Sequence, residues 1–237
     1  AVYNKSSSTV HSAVAVTDDF ISGSGEEEVH VKENGLLFNV NFARGQKTGF
    51  FIDQRDNRQL LRSMSAGKTV CNLFSYTGGF SVYALAGGAT KVLSIDASKH
   101  ALELAEQNVK LNGFAGHRCE CMDILRDFKN DTQFYDIIIV DPPAFAKQLS
   151  QRTRAMKAYS RLNADVLEKV VPGGLVFTFS CSQAVSTTDF RSAIYSASLA
   201  AGKKVRIIKQ LTQAPDHAVN IFHPEGEYLK GLVLMVE

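Results

Sequence analysis

The chain has 237 residues, 45% of them hydrophobic and 21% charged, with a formal net charge of +2. That composition excludes a disordered chain and supports one large domain, or one domain plus an extension. The near-neutral balance permits a nucleic-acid partner without demanding one, and no apolar run approaches membrane-spanning length.

Residues 1 to about 27 read as irregular or partly stranded. Ser6-Ser7-Ser8 and Gly23-Ser24-Gly25 are flexible punctuation, and Glu26-Glu27-Glu28 is a solvated charge run. Apolar segments at 29–31 and 36–42 flank Glu33-Asn34-Gly35, and Asn-Gly between alternating apolar residues predicts a β-hairpin. Residues 1–45 are therefore read as an extension with a hairpin, and 46–237 as the main domain. Residues 54–65 predict a helix with Leu60, Leu61 and Met64 on one face.

From Lys68 the pattern is regular. A strand at 69–74 leads to a helix at 79–86. A strand at 91–95 ends at Asp96, and Ser98 is placed to cap the next helix, which carries Leu102, Ala105 and Val109 and stops near Asn112-Gly113. A short strand is expected at 118–122, closed by Asp123. Residues 135–140 are the most apolar strand and read as central, buried on both faces. A long helix at 153–171 groups Tyr159, Leu162, Val166 and Val170, and Pro172-Gly173-Gly174 turns the chain into a strand running to Phe179. A helix at 187–201 and strands at 205–210 and 231–236 complete the chain. There are no internal repeats. Alternating strands and helices predict an α/β fold with a mostly parallel sheet, whose ligands bind beyond the carboxyl ends of the strands.

The residues able to do chemistry lie at those ends. The turn Phe74-Ser75-Tyr76-Thr77-Gly78-Gly79 has adjacent glycines suited to close backbone approach, but not the G-x-G-x-x-G spacing of a pyrophosphate cradle. Asp96 is placed to accept from both hydroxyls of a ribose, and Asp123 to meet an adenine amino group. Each acid alone is equally well a helix cap; together they point to a nucleoside-containing cofactor. Asp141-Pro142-Pro143 ends one strand and Phe179-Ser180-Cys181-Ser182 the next. A cysteine there is a candidate nucleophile, provided a cation or a helix N-terminus favours its thiolate. The other cysteines, Cys71, Cys119 and Cys121, form no C-x-x-C or zinc pattern and read as reduced thiols, the latter two on one side of a strand. Cytoplasmic residence is the expectation, with no signal peptide and no metal. The chain begins at Ala1 without a methionine and reads as a trimmed piece.

Seven segments carry a family resemblance. They are Thr48-Gly49-Phe50-Phe51-Ile52-Asp53-Gln54-Arg55-Asp56-Asn57-Arg58, residues 72–80, Ser94-Ile95-Asp96, Asp141-Pro142-Pro143-Ala144-Phe145, residues 179–182, Asp216-His217, and Pro224-Glu225-Gly226-Glu227-Tyr228-Leu229-Lys230-Gly231. On these the chain resembles class I S-adenosylmethionine-dependent methyltransferases, specifically the bacterial ribosomal RNA cytosine-5 methyltransferases of the large subunit. The resemblance implies a Rossmann-like domain with a seven-stranded, mostly parallel sheet whose last strand is antiparallel. It also implies S-adenosyl-L-methionine as cofactor and ribosomal RNA as partner, in a monomer or homodimer. Members usually carry an N-terminal RNA-binding domain of the PUA type, so the first ~27 residues read as a linker remnant. A sister group acting on guanine lacks the cysteine at the Cys181 position. Other RNA cytosine-5 enzymes have a second cysteine where this chain has Ala144.

The implied roles follow. Cys181 is the nucleophile and Asp141 its catalytic partner: neutral, it supports the ring nitrogen; ionised, it accepts from the exocyclic amine; both states stay open. Gln54, Arg55, Phe74, Ser75, Tyr76, Thr77, Gly78, Asp96, Ala97, Asp123, Asp141 and Pro142 surround the cofactor. Pro143, Phe145, Lys147 and His217 face the substrate, with Phe145 equally a core aromatic. Arg58 reads as a contact for cofactor or phosphate, or as a solvated helix face. Lys147, Arg152, Arg154, Lys157 and Arg161 form a candidate RNA-backbone contact. Transfer to another base, guanine included, to another substrate, or cofactor binding without catalysis are the competing functions.

Overall fold

The computed structural model describes residues 1–7 and 17–237, so Ser8 of the serine run lies outside the described residues. They form two compact units, 1–51 and 52–237. In the first, β1 (Val2–Asn4) pairs antiparallel with β2 (Asp19–Ser22). Strands β3 (Glu28–Glu33) and β4 (Leu36–Asn41) make the expected hairpin. Asn34 and Gly35 turn it with φ of 49° and 86°, the paired positive φ that selects Asn-Gly in a two-residue connection. Leu36, Phe38 and Val40 alternate inward, and Phe38 packs on Phe50 with centroids 4.8 Å apart.

The second unit opens with α1 (Arg55–Met64). Its inward face is not the Leu60–Leu61–Met64 stripe the periodicity predicts. Asn57, Arg58 and Leu61 are the buried residues, so the helix turns polar groups into the protein. Arg58 is accordingly no solvated face. Its guanidinium lies 5.7 Å from the centre of the Tyr83 ring, and its Cδ would lie 3.3 Å from a Cβ added at Gly79.

Then follow β5 (Thr69–Leu73), α2 (Gly79–Ala86), β6 (Lys91–Asp96) and α3 (Lys99–Leu111), where Ser98 Oγ accepts from the Ala101 N–H at 3.2 Å as a cap. Strand β7 (His117–Cys121) begins and ends one residue earlier than expected. Asp123 therefore does not end a strand; it starts the short α4 (Ile124–Asp127). Next come β8 (Tyr135–Val140), α5 (Arg152–Leu167), β9 (Val170–Ser180), α6 (Thr187–Ala200), β10 (Val205–Leu211) and β11 (Lys230–Val236).

Helix α5 stops at Leu167, short of the predicted 171, and Val170 leaves the helical stripe to pair with Tyr135. The β8–β9 register then jumps to Ile137–Leu175, so Pro172-Gly173-Gly174 forms a bulge within β9 rather than a turn ahead of it. Proline lacks a ladder donor, and a bulge is where a strand tolerates one.

The seven strands of the main sheet run in the order β10-β11-β9-β8-β5-β6-β7. Neighbours from β7 to β9 are parallel, and β11 is antiparallel to both β9 and β10. The chain builds outward from β5 to β7, then returns to lay β8 on the other side of β5. That reversal opens a crevice at the strand ends between β5 and β8. Beneath it, Ile138, Ile139 and Val140 are wholly buried, as the apolar run of β8 predicts, with Tyr159, Leu162 and Val166 of α5 among the buried side chains. Each fully buried aliphatic contributes roughly 1.5–3 kcal/mol, which fixes the strand ends that border the crevice. Among the described residues no helix is long and apolar enough to cross a membrane, and no group of three or more His, Cys, Asp or Glu is placed to hold a metal.

Candidate active site

One side of the crevice is built from backbone. After β5 the chain turns with Phe74 at φ 57°, Tyr76 at 47° and Gly78 at 78°. The expected glycine conformation thus falls at Gly78, not Gly79, and two non-glycine residues share it. Such backbone costs of order 1–3 kcal/mol per residue and persists where surrounding structure holds it. Here the Ser75 N–H donates to the Ile95 carbonyl at 3.0 Å and the Gly78 N–H to the Ser75 carbonyl at 2.9 Å. Asp96 accepts from the Tyr76 N–H and the Ser98 N–H, both at 2.9 Å. A Cβ on Gly78 would lie 2.8 Å from the Ala105 Cβ, so α3 requires glycine there. Thr77 is buried and its carbonyl accepts from Asn108. No side chain caps α2, which leaves its first-turn N–H groups for a ligand or water. Ser75 Oγ is buried without a hydrogen-bond partner. Ala97 and Asp123 are exposed at the margin.

The other side is built from side chains. Gln54 is buried, donates through Nε2 to Asp141 Oδ2 at 3.0 Å, and accepts from Asn57 at 2.7 Å. Asp53 accepts from the Tyr228 hydroxyl at 2.7 Å through Oδ2, while its buried Oδ1 has no partner. Asp141 keeps some exposed surface at the crevice, yet protein encloses its carboxyl. Loss of water pushes its pKa up to about 7, with the negative Asp53 adding to the rise and Gln54 and Arg58 opposing it. Cys181 lies just past β9, half-buried, with Sγ 3.8 Å from the Pro142 carbonyl. Beneath it Tyr159, Ser180 and Ser182 link their hydroxyls at 2.9 and 3.1 Å, and Ser182 Oγ also accepts from the Ala146 N–H at 3.2 Å.

The other thiols are placed differently. Cys71 is sealed inside β5, and burial pushes its thiol well up. Burial likewise raises Cys119 to about 11. Cys119 and Cys121 face one side of β7, directing their sulfurs at the Leu102 and Ala97 carbonyls.

Of the expected substrate residues, Pro143 and Lys147 are exposed beyond β8. The Phe145 ring packs on Tyr159, centroids 4.6 Å apart, at the edge of the core. His217 is half-buried and its Nδ1 lies 3.3 Å from Asp216, which also pairs with Arg55 of α1. Of the basic stretch, Arg154, Lys157 and Arg161 are exposed, while Arg152 pairs with Asp189. Asp53, Tyr228 and Lys230, whose Nζ donates to the Ser182 carbonyl at 2.8 Å, stand beside these groups and were not singled out by spacing. Their signal was present in the two most distinctive segments, 48–58 and 224–231, but only the insertion of β11 beside β9 gives them a place.

Comparison with known proteins agrees with this architecture. A family model for S-adenosylmethionine-dependent methyltransferases matches residues 11–220. Ribosomal RNA large subunit methyltransferase I of Aeromonas salmonicida is 40% identical over 215 residues, 88% of this chain and 54% of that protein. The chain thus spans about half the length of this curated relative. A solved structure from Streptococcus mutans, provisionally described as a SAM-dependent methyltransferase, superposes with a TM-score of 0.82 at 31% identity, covering 92% of this chain and 58% of that one. A second solved methyltransferase, complexed with SAH, matches with the same score, identity and coverage. With strand order, crevice and sequence in agreement, the chain belongs to the S-adenosylmethionine-dependent methyltransferase family.

Proposed function

We propose that this chain carries the catalytic part of an enzyme that transfers a methyl group to carbon 5 of a cytosine in ribosomal RNA through a covalent adduct with Cys181. The observation that carries the reading is the juxtaposition of Cys181 and Asp141. They follow adjacent parallel strands, with Val140 in register with Thr178, and Cys181 Sγ approaches the carbonyl of the residue after Asp141. The name of the Aeromonas salmonicida relative supports ribosomal RNA as substrate.

The backbone side of the crevice suits the cofactor. Asp96 offers carboxylate oxygens to ribose hydroxyls, and the uncapped start of α2 and the orphaned Ser75 Oγ offer polar contacts. When bound, S-adenosylmethionine supplies an electrophilic methyl group. Carbon 5 of cytosine is a poor nucleophile until a thiolate adds to carbon 6. Cys181 makes that bond. Asp141, with a pKa near 7, carries a proton in a large fraction of molecules at neutral pH and gives it to the ring nitrogen as charge develops there, the Gln54 hydrogen bond fixing the carboxyl. After methylation a general base, water included, takes the carbon-5 proton, and that C–H electron pair forms the carbon 5–carbon 6 double bond as the carbon–sulfur pair returns to Sγ and the ring-nitrogen proton to Asp141. The target base must be unstacked to enter, and exposed Lys147, Arg154 and Lys157 are available to the RNA backbone.

Incubation with RNA carrying 5-azacytosine tests the reading. A complex that survives denaturation and disappears in Cys181→Ser supports it. Methyl transfer unaffected by that substitution would assign the activity to another base, and cofactor binding with no transfer to any RNA would assign a binding module.

A further inference from the structure

We propose that Lys230 is a positioning residue for Cys181, its buried ammonium holding the backbone just past the thiol and stabilising the thiolate. The role rests on the reading of Cys181 as nucleophile. Lys230 opens β11, in register with Ser180 at the end of β9, and its Nζ donates to the Ser182 carbonyl at 2.8 Å. It is 8% exposed. Lysine is almost never buried to that degree unless paired, because an ammonium removed from water needs an anion as well as a hydrogen bond. The Ser182 carbonyl supplies the hydrogen bond but no charge. Burial lowers the Lys230 pKa, and the Cys181 thiolate and then Glu227 oppose that fall. Cys181 lies between Ser180, the register partner of Lys230, and Ser182, whose carbonyl Nζ holds, so a thiolate formed as Sγ gives its proton to solvent supplies compensating charge beside the ammonium.

The remaining surroundings of the thiol sharpen the point. Beyond β8 lies Asp141; beside it are Asp53 before α1 and Tyr228 and Glu227 before β11, and below is Tyr159 of α5. Asp53, Asp141 and Glu227 are carboxyl groups, and a carboxylate near a thiol disfavours its anion; Tyr159 and Tyr228, whose pKa burial raises, stay neutral and supply no positive charge. Helix α6 begins at Thr187 with a complete capping box from Ser186 and Asp189, and Asp189 also pairs with Arg152. Its positive end is thus already matched by a carboxylate, so the expected helix-terminus assistance to Cys181 is not what this geometry offers. The cation of β11 takes that part.

The test is the pH dependence of alkylation of Cys181 by iodoacetamide in the full chain, resolved by peptide mass, with the exposed thiol of Cys121 as internal comparison. In the unsubstituted protein the Cys181 midpoint is expected about one pH unit or more below that of Cys121. Lys230→Met is expected to raise it by about one to two units, slowing alkylation at pH 7 roughly tenfold or more, and Lys230→Arg to leave it low. A Cys181 midpoint at or above that of Cys121 overturns the proposal without any variant. An unchanged midpoint in a folded Lys230→Met protein overturns it too. Failure of the ribosomal RNA reading shows separately, as an absence of 5-azacytosine adducts while the alkylation profile stands.

Discussion

The two sides of the crevice are built on different plans. Toward β6 and β7 the site is one contiguous turn whose shape comes from backbone: positive φ at Phe74, Tyr76 and Gly78, held by Asp96. Toward β9 and β11 it is a set of side chains from four distant segments, Asp53 and Gln54, Asp141, Cys181, and Tyr228 to Lys230, brought together only by strand order. The first plan presents fixed donors to a ligand shared by a whole family. The second places ionisable groups against one another, and their mutual fields set their protonation. On the proposed reading the first side binds and the second does the chemistry, so substitutions on one side should leave the other intact.

The largest separation is expected for Cys181→Ser. A hydroxyl at this position is a far weaker nucleophile, and loss of the nucleophile should lower methyl transfer by at least roughly 10³-fold. Cofactor affinity, measured by calorimetry, should stay within about twofold. A parallel loss of cofactor binding would show that the two sides are one unit. Asp96→Ala is the reciprocal substitution. Losing charge-assisted hydrogen bonds worth about 1.5–3 kcal/mol each should weaken S-adenosylmethionine binding roughly 10²-fold, while the alkylation profile of Cys181 stays put. A change of less than about threefold in affinity would remove Asp96 from the binding side.

Gly78→Ala asks whether the backbone plan is fixed by α3. The new Cβ would meet Ala105 at 2.8 Å from a residue at φ 78°, a combination expected to cost about 2 kcal/mol. Thermal unfolding should then fall by roughly 4–8 °C. An unchanged melting temperature would mean that the turn relaxes away from α3.

The unequal plans also explain what the sequence disclosed. Residues 72–80 and Asp96 could be read because strand, turn and acid are consecutive, and the 29–42 hairpin because Asn34-Gly35 needs no tertiary information. Cys181 and Asp141 were legible as strand ends. The parts that escaped depend on long-range packing. Apolar periodicity placed Leu60 and Met64 inward, whereas α1 buries Asn57 and Arg58 because Gln54, Tyr83 and the Thr212 carbonyl offer polar or aromatic partners there. Val170 fits the α5 stripe by spacing, but pairing with Tyr135 in β8 captures it for β9. Lys230 reads as an ordinary lysine at a strand start until β11 is found beside β9.

The effect that appears only as pH rises is the most diagnostic of the side-chain plan. Asp141 titrates at about 7 in the folded protein, against about 3.9 in an unfolded chain. Because the folded value is the higher one, its neutral form favours folding. That contribution is complete below about pH 4, declines as pH rises, and is gone above about pH 7, where the fold must hold an anion near Asp53. Asp141→Asn keeps an oxygen for Gln54 and cannot ionise. The folded and unfolded values differ by about 3 pH units, or about 4 kcal/mol, so the variant's melting temperature should match the parent within about a degree near pH 4 and exceed it by roughly 10 °C at pH 8, the gap opening between those values. A gap that stays constant from pH 4 to 8 would mean that Asp141 does not change protonation across that range, and the proton it is proposed to lend the ring nitrogen would need another source. A gap that opens as described, in a variant that also fails to transfer methyl groups, would locate that proton on the side-chain half of the crevice.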